Sequence, residues 1–231
     1  MKRKRLIIFL VCNLLMVVLE LVGLGMIFNA IGMGGFVYYT QLSNILLLVA
    51  AVVNVVFAGR LLWRKKGEMP MFAWQLFYAA TSVTSVTFLV VVLVLSWMYG
   101  DLMMVLTEGS MLYTHTLCPL IAFFAFEIFA PKEFGWRDVW MATGLTLAYG
   151  VVTVILNILR VIEGPYPFLM VYKQPVMMSV VWIAVIVGGA YAVAWGLIVR
   201  KLRKAKGGAR KGVGRNAGKS AGKGAKRGAK K

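Results

Sequence analysis

A helix of roughly 20 residues, rising 1.5 Å per residue, crosses a hydrocarbon core about 30 Å thick. This chain carries six apolar stretches of that length, at about 6–28, 43–63, 71–98, 111–130, 139–159 and 176–199. In hydrocarbon the backbone must satisfy its own hydrogen bonds within each segment, so runs of this kind span as helices. A soluble alternative would have to cover 61% hydrophobic residues with 15% charged ones, far from soluble averages. The predicted fold class is all-α, a polytopic membrane protein built as a six-helix transmembrane bundle with a disordered C-terminal tail.

Breakers and charges mark the joints: Arg64-Lys65-Lys66-Gly67 with Pro70, Pro131-Lys132, and Gly164-Pro165-Tyr166-Pro167. Lys2-Arg3-Lys4-Arg5 before the first run resembles the start of a signal peptide, but the run is too long for an h-region and no A-x-A site follows. It reads as a retained helix. Bases in short loops set orientation. The amino terminus has four, the 60–68 loop has Arg60, Arg64, Lys65 and Lys66, and the 131–138 loop has Lys132 and Arg137. The intervening loops hold none in 29–42, none in 99–110, and Arg160 with Lys173 in 160–175. Both termini are therefore expected in the cytoplasm.

The formal charge of +18 is also uneven, because 14 of the 26 Lys and Arg lie between Arg200 and Lys231, where no acid occurs. The chain thus divides into a six-span transmembrane domain, 1–200, and a basic Gly/Ala/Lys-rich cytoplasmic tail, 201–231, whose composition predicts disorder. Anionic lipid headgroups are the expected partner of that tail, and no specific nucleic acid is expected. Its Gly-Lys-Ser at 218–220 does not make a phosphate-binding loop, since Val213 stands where the first glycine belongs and no strand precedes it. Cys12 and Cys118, each inside an apolar run, offer neither a disulfide framework nor a zinc site. No metal or cofactor is expected.

Strongly polar side chains within the spans are few and costly: Asn13, Glu20, Asn44, Asn54, Gln75, Glu127 and Asn157. Glu20 lies two helical turns beyond Asn13 on the same face, so that face is expected to point into the bundle. Interhelical hydrogen bonding is the ordinary role of such an Asn or Gln. The run Thr81, Ser82, Thr84, Ser85, Thr87 is read as close helix packing.

Two segments at the non-cytoplasmic side carry chemistry. Tyr38-Tyr39-Thr40-Gln41-Leu42-Ser43-Asn44 leads into the second span, and Thr114-His115-Thr116-Leu117-Cys118-Pro119 heads the fourth. Both spans begin on that side, so Thr40 and His115, the sole histidine, are expected at similar depth. A neutral imidazole can take a hydroxyl proton as the oxygen attacks an acyl carbon and return it to the leaving group. Asn44, one turn past Thr40, is a candidate oxyanion donor. Glu108 and Asp101 are candidate orienting carboxylates, though Glu108 is about 10 Å from His115 along a continuous helix. A histidine merely hydrogen-bonded at an interface is the competing reading of these residues.

Six spans, Tyr-Tyr-Thr-x-x-Ser-Asn ahead of span two, a His with Pro four residues later at the head of span four, and Tyr-Pro-Phe before the last span resemble a known family. It is the androgen-induced, androgen-dependent-TFPI-regulating family of multi-pass membrane threonine hydrolases, and the pattern is most similar to its bacterial branch. The resemblance covers about 1–200 and implies hydrolysis of fatty acid esters of hydroxy fatty acids within the membrane. By this resemblance Thr40 matches the nucleophile and His115 the catalytic histidine. The implied partners are membrane lipid and an acyl-ester substrate from the bilayer, and the implied location is the bacterial plasma membrane.

The hydrolase expectation places an acyl cavity between spans two and four, open sideways to lipid, with Thr40 Oγ1 in hydrogen-bond reach of His115. Trp97, Tyr99, Tyr113, Tyr166 and Phe168 would rim it, unless they form only an interfacial aromatic belt. A small-solute transporter would instead show a polar path through Asn13, Glu20, Asn54 and Asn157, supported by repeated halves with broken helices. No convincing internal repeat occurs. A non-catalytic membrane scaffold that recruits partners by its tail is the third alternative.

Overall fold

The computed structural model describes residues 1–225, with side chains as far as residue 199 and at Lys201. The helices are α1 (Arg3–Ile31), α2 (Tyr39–Arg64), α3 (Met71–Tyr99), a short α4 (Leu102–Thr107), α5 (Leu112–Phe129), α6 (Trp136–Ile158) and α7 (Val176–Ala225). Six of them are long and apolar enough to cross a membrane, α7 through Val176–Val199. The protein is a multi-pass membrane bundle. The segment expected to be disordered, 201–231, falls almost wholly outside the described side chains.

The bundle is apolar outside and polar inside, the arrangement that hydrocarbon solvent selects. On α1, Leu14, Leu15, Val18 and Leu21 are 45–58% exposed while Asn13 and Glu20 are 0% exposed. Helix contacts are made through small residues, with Ala50, Ala51, Ala58, Ala73, Ala80 and Ala122 all buried, so backbones approach closely. α3 is the central helix. Of its most apolar window 56% is buried, against 6% for α7, which therefore sits at the periphery.

Both termini of the six-span body lie at one end of the bundle, called here the terminal end; the opposite, distal end carries the starts of α2, α5 and α7. At the terminal end Phe9, Trp74, Phe77, Tyr78, Phe126, Phe129 and Phe134 form a continuous aromatic cluster. The Tyr78 hydroxyl donates to Ala194 O at 2.8 Å and fastens α7 to α3. Trp136 of α6 stacks on Trp195 of α7 with ring centroids 4.3 Å apart.

Local chemistry sets the helix ends. α2 begins at Tyr39, four residues before the sequence-based boundary, because the polar face of its first turn (Thr40, Gln41, Ser43, Asn44) is buried against neighbouring helices. α6 begins at Trp136, where Asp138 Oδ2 accepts the Gly135 N–H at 2.8 Å. Gln75 of α3 donates to Asp138 Oδ1 at 2.9 Å, which accounts for one of the polar residues within the spans. Ser82, Thr84 and Thr87 hydrogen-bond back to carbonyls one turn earlier, as close packing requires.

Two spans contain a π-helical turn, Val91–Leu95 in α3 and Leu112–Leu117 in α5. The second has an evident cause. Pro119 has no N–H to give the carbonyl four residues back, that of His115, and its ring crowds that carbonyl. The histidine therefore sits on a widened turn.

A candidate acyl site at the distal end of the bundle

Thr40 occupies the first turn of α2 and is 5% exposed. Its hydroxyl meets a residue of the α6–α7 connection: Thr40 Oγ1 lies 3.2 Å from the Tyr166 hydroxyl oxygen. The Thr40 backbone N–H donates to the same phenolic oxygen at 3.2 Å. The phenolic oxygen keeps a second lone pair and its own proton, so in this pair either hydroxyl can donate. Burial pushes the Tyr166 phenol above its ordinary range, so this group stays a donor at neutral pH.

The connection is folded inward by bonds that fix it at both ends. Asn157 donates from Nδ2 to Ile162 O and accepts the Val171 N–H at Oδ1, both at 2.9 Å. Gln174 donates to Phe168 O at 2.9 Å. At Gly164 an added Cβ would fall 2.4 Å from Leu169 O, so only glycine allows the two arms of this loop to approach. The result is a plug in which the Tyr166 and Phe168 rings stack, 5.2 Å apart and 2° from parallel.

Beneath the plug is a cavity of about 200 Å³. Val86, Val90, Val91 and Leu95 of α3 form one wall, with Val91 and Leu95 on the π turn. Val151, Val154 and Ile155 of α6 and Trp182, Ile183 and Ile186 of α7 form the others. Thr40, Thr87, Thr146, Tyr39 and Tyr149 also line it, but their hydroxyls are bonded to one another, to neighbouring side chains or to backbone, so the lining is almost wholly apolar. Tyr39 and Thr146 bond to each other at 2.7 Å, and the Tyr149 hydroxyl donates to Val37 O. Leu147, Val151, Ile155 and Ile183 line the cavity and are also 39–50% exposed. The cavity thus reaches the lipid-facing surface between α6 and α7. Ligand pockets commonly measure about 300–1,000 Å³, so this one takes a short apolar segment, not a whole lipid.

The cavity is not between spans two and four, as expected from sequence, but among α2, α3, α6, α7 and the loop. On the α5 side α1 packs closely: a Cβ at Gly23 would lie 2.8 Å from Tyr113 Cβ and 3.0 Å from Thr114 Cγ2. Of the five aromatics expected at its rim, Tyr166 and Phe168 line it. Trp97 and Tyr99, 83% and 56% exposed, face outward, and Tyr113 packs on α1.

His115 is 9% exposed and its Nδ1 lies 2.8 Å from Val105 O in α4. A carbonyl only accepts, so Nδ1 carries the proton and Nε2 is left with its lone pair, the tautomer a general base requires. Among the described residues Nε2 makes no hydrogen bond, and Thr40 Oγ1 is bonded to Tyr166, not to His115. The two segments are nonetheless joined. Asn44 Nδ2 donates to Thr40 O at 2.7 Å and to Thr114 O at 3.1 Å, pinning Thr40 and the residue before His115 at one depth.

That double bond corrects the expected role of Asn44: both amide hydrogens are committed to backbone carbonyls, so it is a brace and not an oxyanion donor. The side-chain group beside the threonine that can donate is the Tyr166 hydroxyl, whose oxygen also takes the Thr40 N–H. Neither candidate carboxylate orients the imidazole. Asp101 caps α4 by accepting the Met104 N–H at 2.9 Å, and Glu108 is exposed just past the end of α4. The Val105 carbonyl holds that position. Tyr166 is the residue that sequence reasoning undervalued; its signal was a tyrosine between two prolines, expected at the rim but not bonded to Thr40.

Deeper in the bundle, Asn54 Nδ2 donates to Asn13 Oδ1 at 3.0 Å and Asn13 Nδ2 to Phe9 O at 2.8 Å. Asn157 is not part of this group, being occupied in the loop. Glu20 faces the α5 side beside Cys118, is 0% exposed, and has no hydrogen bond on either carboxyl oxygen. The chain matches no protein-family profile, no curated protein and no solved structure.

Proposed function

We propose that the chain is an intramembrane ester hydrolase, related to the bacterial branch of the androgen-induced threonine hydrolases. One observation carries this reading: the buried Thr40, its hydroxyl held by Tyr166, lies in the wall of an apolar cavity that reaches the lipid-facing surface. An acyl chain enters between α6 and α7 and brings its ester carbonyl to Thr40. Oγ1 attacks the carbonyl carbon, the ester C–O bond breaks, and the acyl group stays on Thr40 until water displaces it. His115 takes the Thr40 proton at Nε2 and returns it to the departing alcohol. A threonine in a helix has two accessible χ1 wells, and catalysis requires the one that takes Oγ1 off Tyr166 toward the imidazole. The Tyr166 hydroxyl, released from Thr40 Oγ1, then donates to the developing oxyanion. Fatty acid esters of hydroxy fatty acids are the proposed substrates.

We place both termini in the cytoplasm and the membrane as a bacterial plasma membrane. Arg3, Arg5, Arg64, Lys65, Lys66, Lys132 and Arg137 gather at the terminal end, whereas the distal loops contribute Arg160 and Lys173. Hydrolysis of a panel of lipid esters by the detergent-purified full chain, with Thr40→Ala and His115→Ala alongside, tests the assignment. Loss in both folded variants supports it; an inactive wild type, or full activity in either variant, overturns it for those esters or residues.

Transport of protons or cations is the second reading, favoured by the unbonded Glu20 carboxyl inside the membrane. Flux into proteoliposomes that disappears in Glu20→Gln while ester turnover is absent would establish it in place of the first.

A further inference from the structure

The terminal end of the bundle, remote from Thr40, holds a second cavity of about 1,020 Å³. The ends of α1, α2, α3 and α5 surround it. Leu6, Leu61, Leu62, Trp74 and Phe129 give it an apolar floor. Its rim carries six basic side chains, Arg3, Arg5, Lys65, Lys66, Lys132 and Lys201, and three acidic ones, Glu68, Glu127 and Glu133.

Two of the bases already serve the fold. The last carbonyls of a helix have no partner within it, and at the end of α5 they are met by Arg5 Nη2 on Ile128 O at 2.5 Å and Lys201 Nζ on Phe126 O and Glu127 O at 2.9 and 3.1 Å. Arg3, Lys65, Lys66 and Lys132 are different. They are exposed on the rim and form no ion pair among the described residues, where the single ion pair is Lys173 with Glu163 at the distal end. Residues 65–69 form one wall of the cavity, in a connection bent by left-handed backbone at Lys65 (φ 57°) and Gly67 (φ 100°). One further group is unsatisfied: Glu127 Oε1 is buried and has no donor.

An occupant of this cavity has two requirements on it. It must be anionic toward the four bases and apolar toward the floor; the unsatisfied Glu127 oxygen is turned away from the open space and places none. Basic pockets between spanning helices at the cytoplasmic face are the usual receptors for phosphorylated lipid headgroups. We propose that this vestibule binds a phosphodiester lipid headgroup, with the phosphate among Arg3, Lys65, Lys66 and Lys132 and the upper acyl chains against the apolar floor. The site is independent of the hydrolase assignment. It differs also from attraction of lipid to the tail, because it is a single saturable cavity in the body.

The full chain in neutral detergent is titrated with short-chain phosphatidylglycerol and followed by tryptophan fluorescence, with Trp74→Phe marking the part of the signal that arises at the floor. Wild type and a Lys65→Gln/Lys66→Gln/Lys132→Gln variant carry the same tail, so its contribution cancels. Removing three bases is expected to weaken the saturable binding roughly a hundredfold. Equal binding by the triple variant, or by short-chain phosphatidylcholine, overturns the site. Glycerol phosphate competing as well as the lipid keeps the phosphate but overturns the lipid as its source. These lysines are exposed, so an unchanged melting temperature confirms that the variant is folded.

Discussion

The Tyr166 hydroxyl oxygen accepts the Thr40 backbone N–H and lies at the same 3.2 Å from Thr40 Oγ1. A residue of the last connecting loop thus holds both the amide and the hydroxyl of a residue in the second span. In the hydrolase reading this makes Tyr166 the donor nearest the reacting carbonyl. Tyr166→Phe keeps the ring that stacks on Phe168 and removes the hydroxyl alone. Loss of one oxyanion donor lowers kcat by about 10²–10³, and KM should change little. Steady-state kinetics on an ester that wild type turns over checks this; an unchanged kcat removes Tyr166 from the chemistry.

Burial of the same phenol also ties stability to pH. Its folded pKa is raised above the ordinary 10.0, so the unfolded chain loses this proton first as pH rises. The stabilisation from keeping the phenol neutral is complete below pH 10 and is lost above it. Melting temperatures of wild type and Tyr166→Phe should therefore converge as pH passes about 10. A gap that stays constant through pH 11 would mean that the phenol ionises as readily in the folded protein.

Because His115 is the only histidine, nitrogen-15 labelling of histidine yields one imidazole. The bond from Nδ1 to Val105 O requires the Nδ1–H tautomer near neutral pH, with Nε2 unprotonated. Nitrogen chemical shifts of the labelled protein in detergent decide this. The opposite tautomer would leave the ring without a lone pair for Thr40 and end its role as base.

Glu20 has neither oxygen bonded and no exposure. An unsatisfied buried polar group costs about 1–3 kcal/mol, so Glu20→Met, similar in volume, is expected to raise stability by about that much. Chemical denaturation in mixed micelles gives the sign. A loss of stability instead would show that the carboxyl has a bound partner in the membrane.

At Gly164, an alanine methyl has no room beside Leu169 O, and overpacking of this kind costs roughly 1–3 kcal/mol. Gly164→Ala should loosen the plug, detach Tyr166 from Thr40 and reduce turnover, with the six spans still inserted. Limited proteolysis of residues 160–175 in intact vesicles would report the loosening; protection equal to wild type would show that the loop accommodates the methyl.

The six spans were legible because hydrophobic length is a local property, and the inward face of α1 because Asn13 and Glu20 share a helical face. The common depth of Thr40 and His115 followed from counting spans, and the Asn44 brace between Thr40 O and Thr114 O agrees with it. What sequence could not supply was lateral order around the bundle. Nothing in the pattern of α6 or α7 says that they flank α3 and enclose the cavity, or that α1 packs closely on the α5 side at Gly23. Hydroxyl and amide partners were equally hidden, since Asn44 could face a ligand or a carbonyl with the same sequence around it. Tyr166 was expected at the rim of the cavity, which it lines, but its bonds to Thr40 were not, because they depend on Asn157 and Gln174 holding the loop from both sides.

The peripheral position of α7 bears on the order in which the protein comes into being. Trp182, Ile183 and Ile186 supply a wall of the cavity, yet they belong to the sixth span to leave the ribosome. A nascent chain ending at Ile158 would already have Thr40, His115 and the Asn44 brace, but neither Tyr166 nor the α7 wall of the cavity. In the hydrolase reading the threonine therefore acquires its lipid-facing chamber only once the sixth span is in place, and copies stopped short of it are inactive.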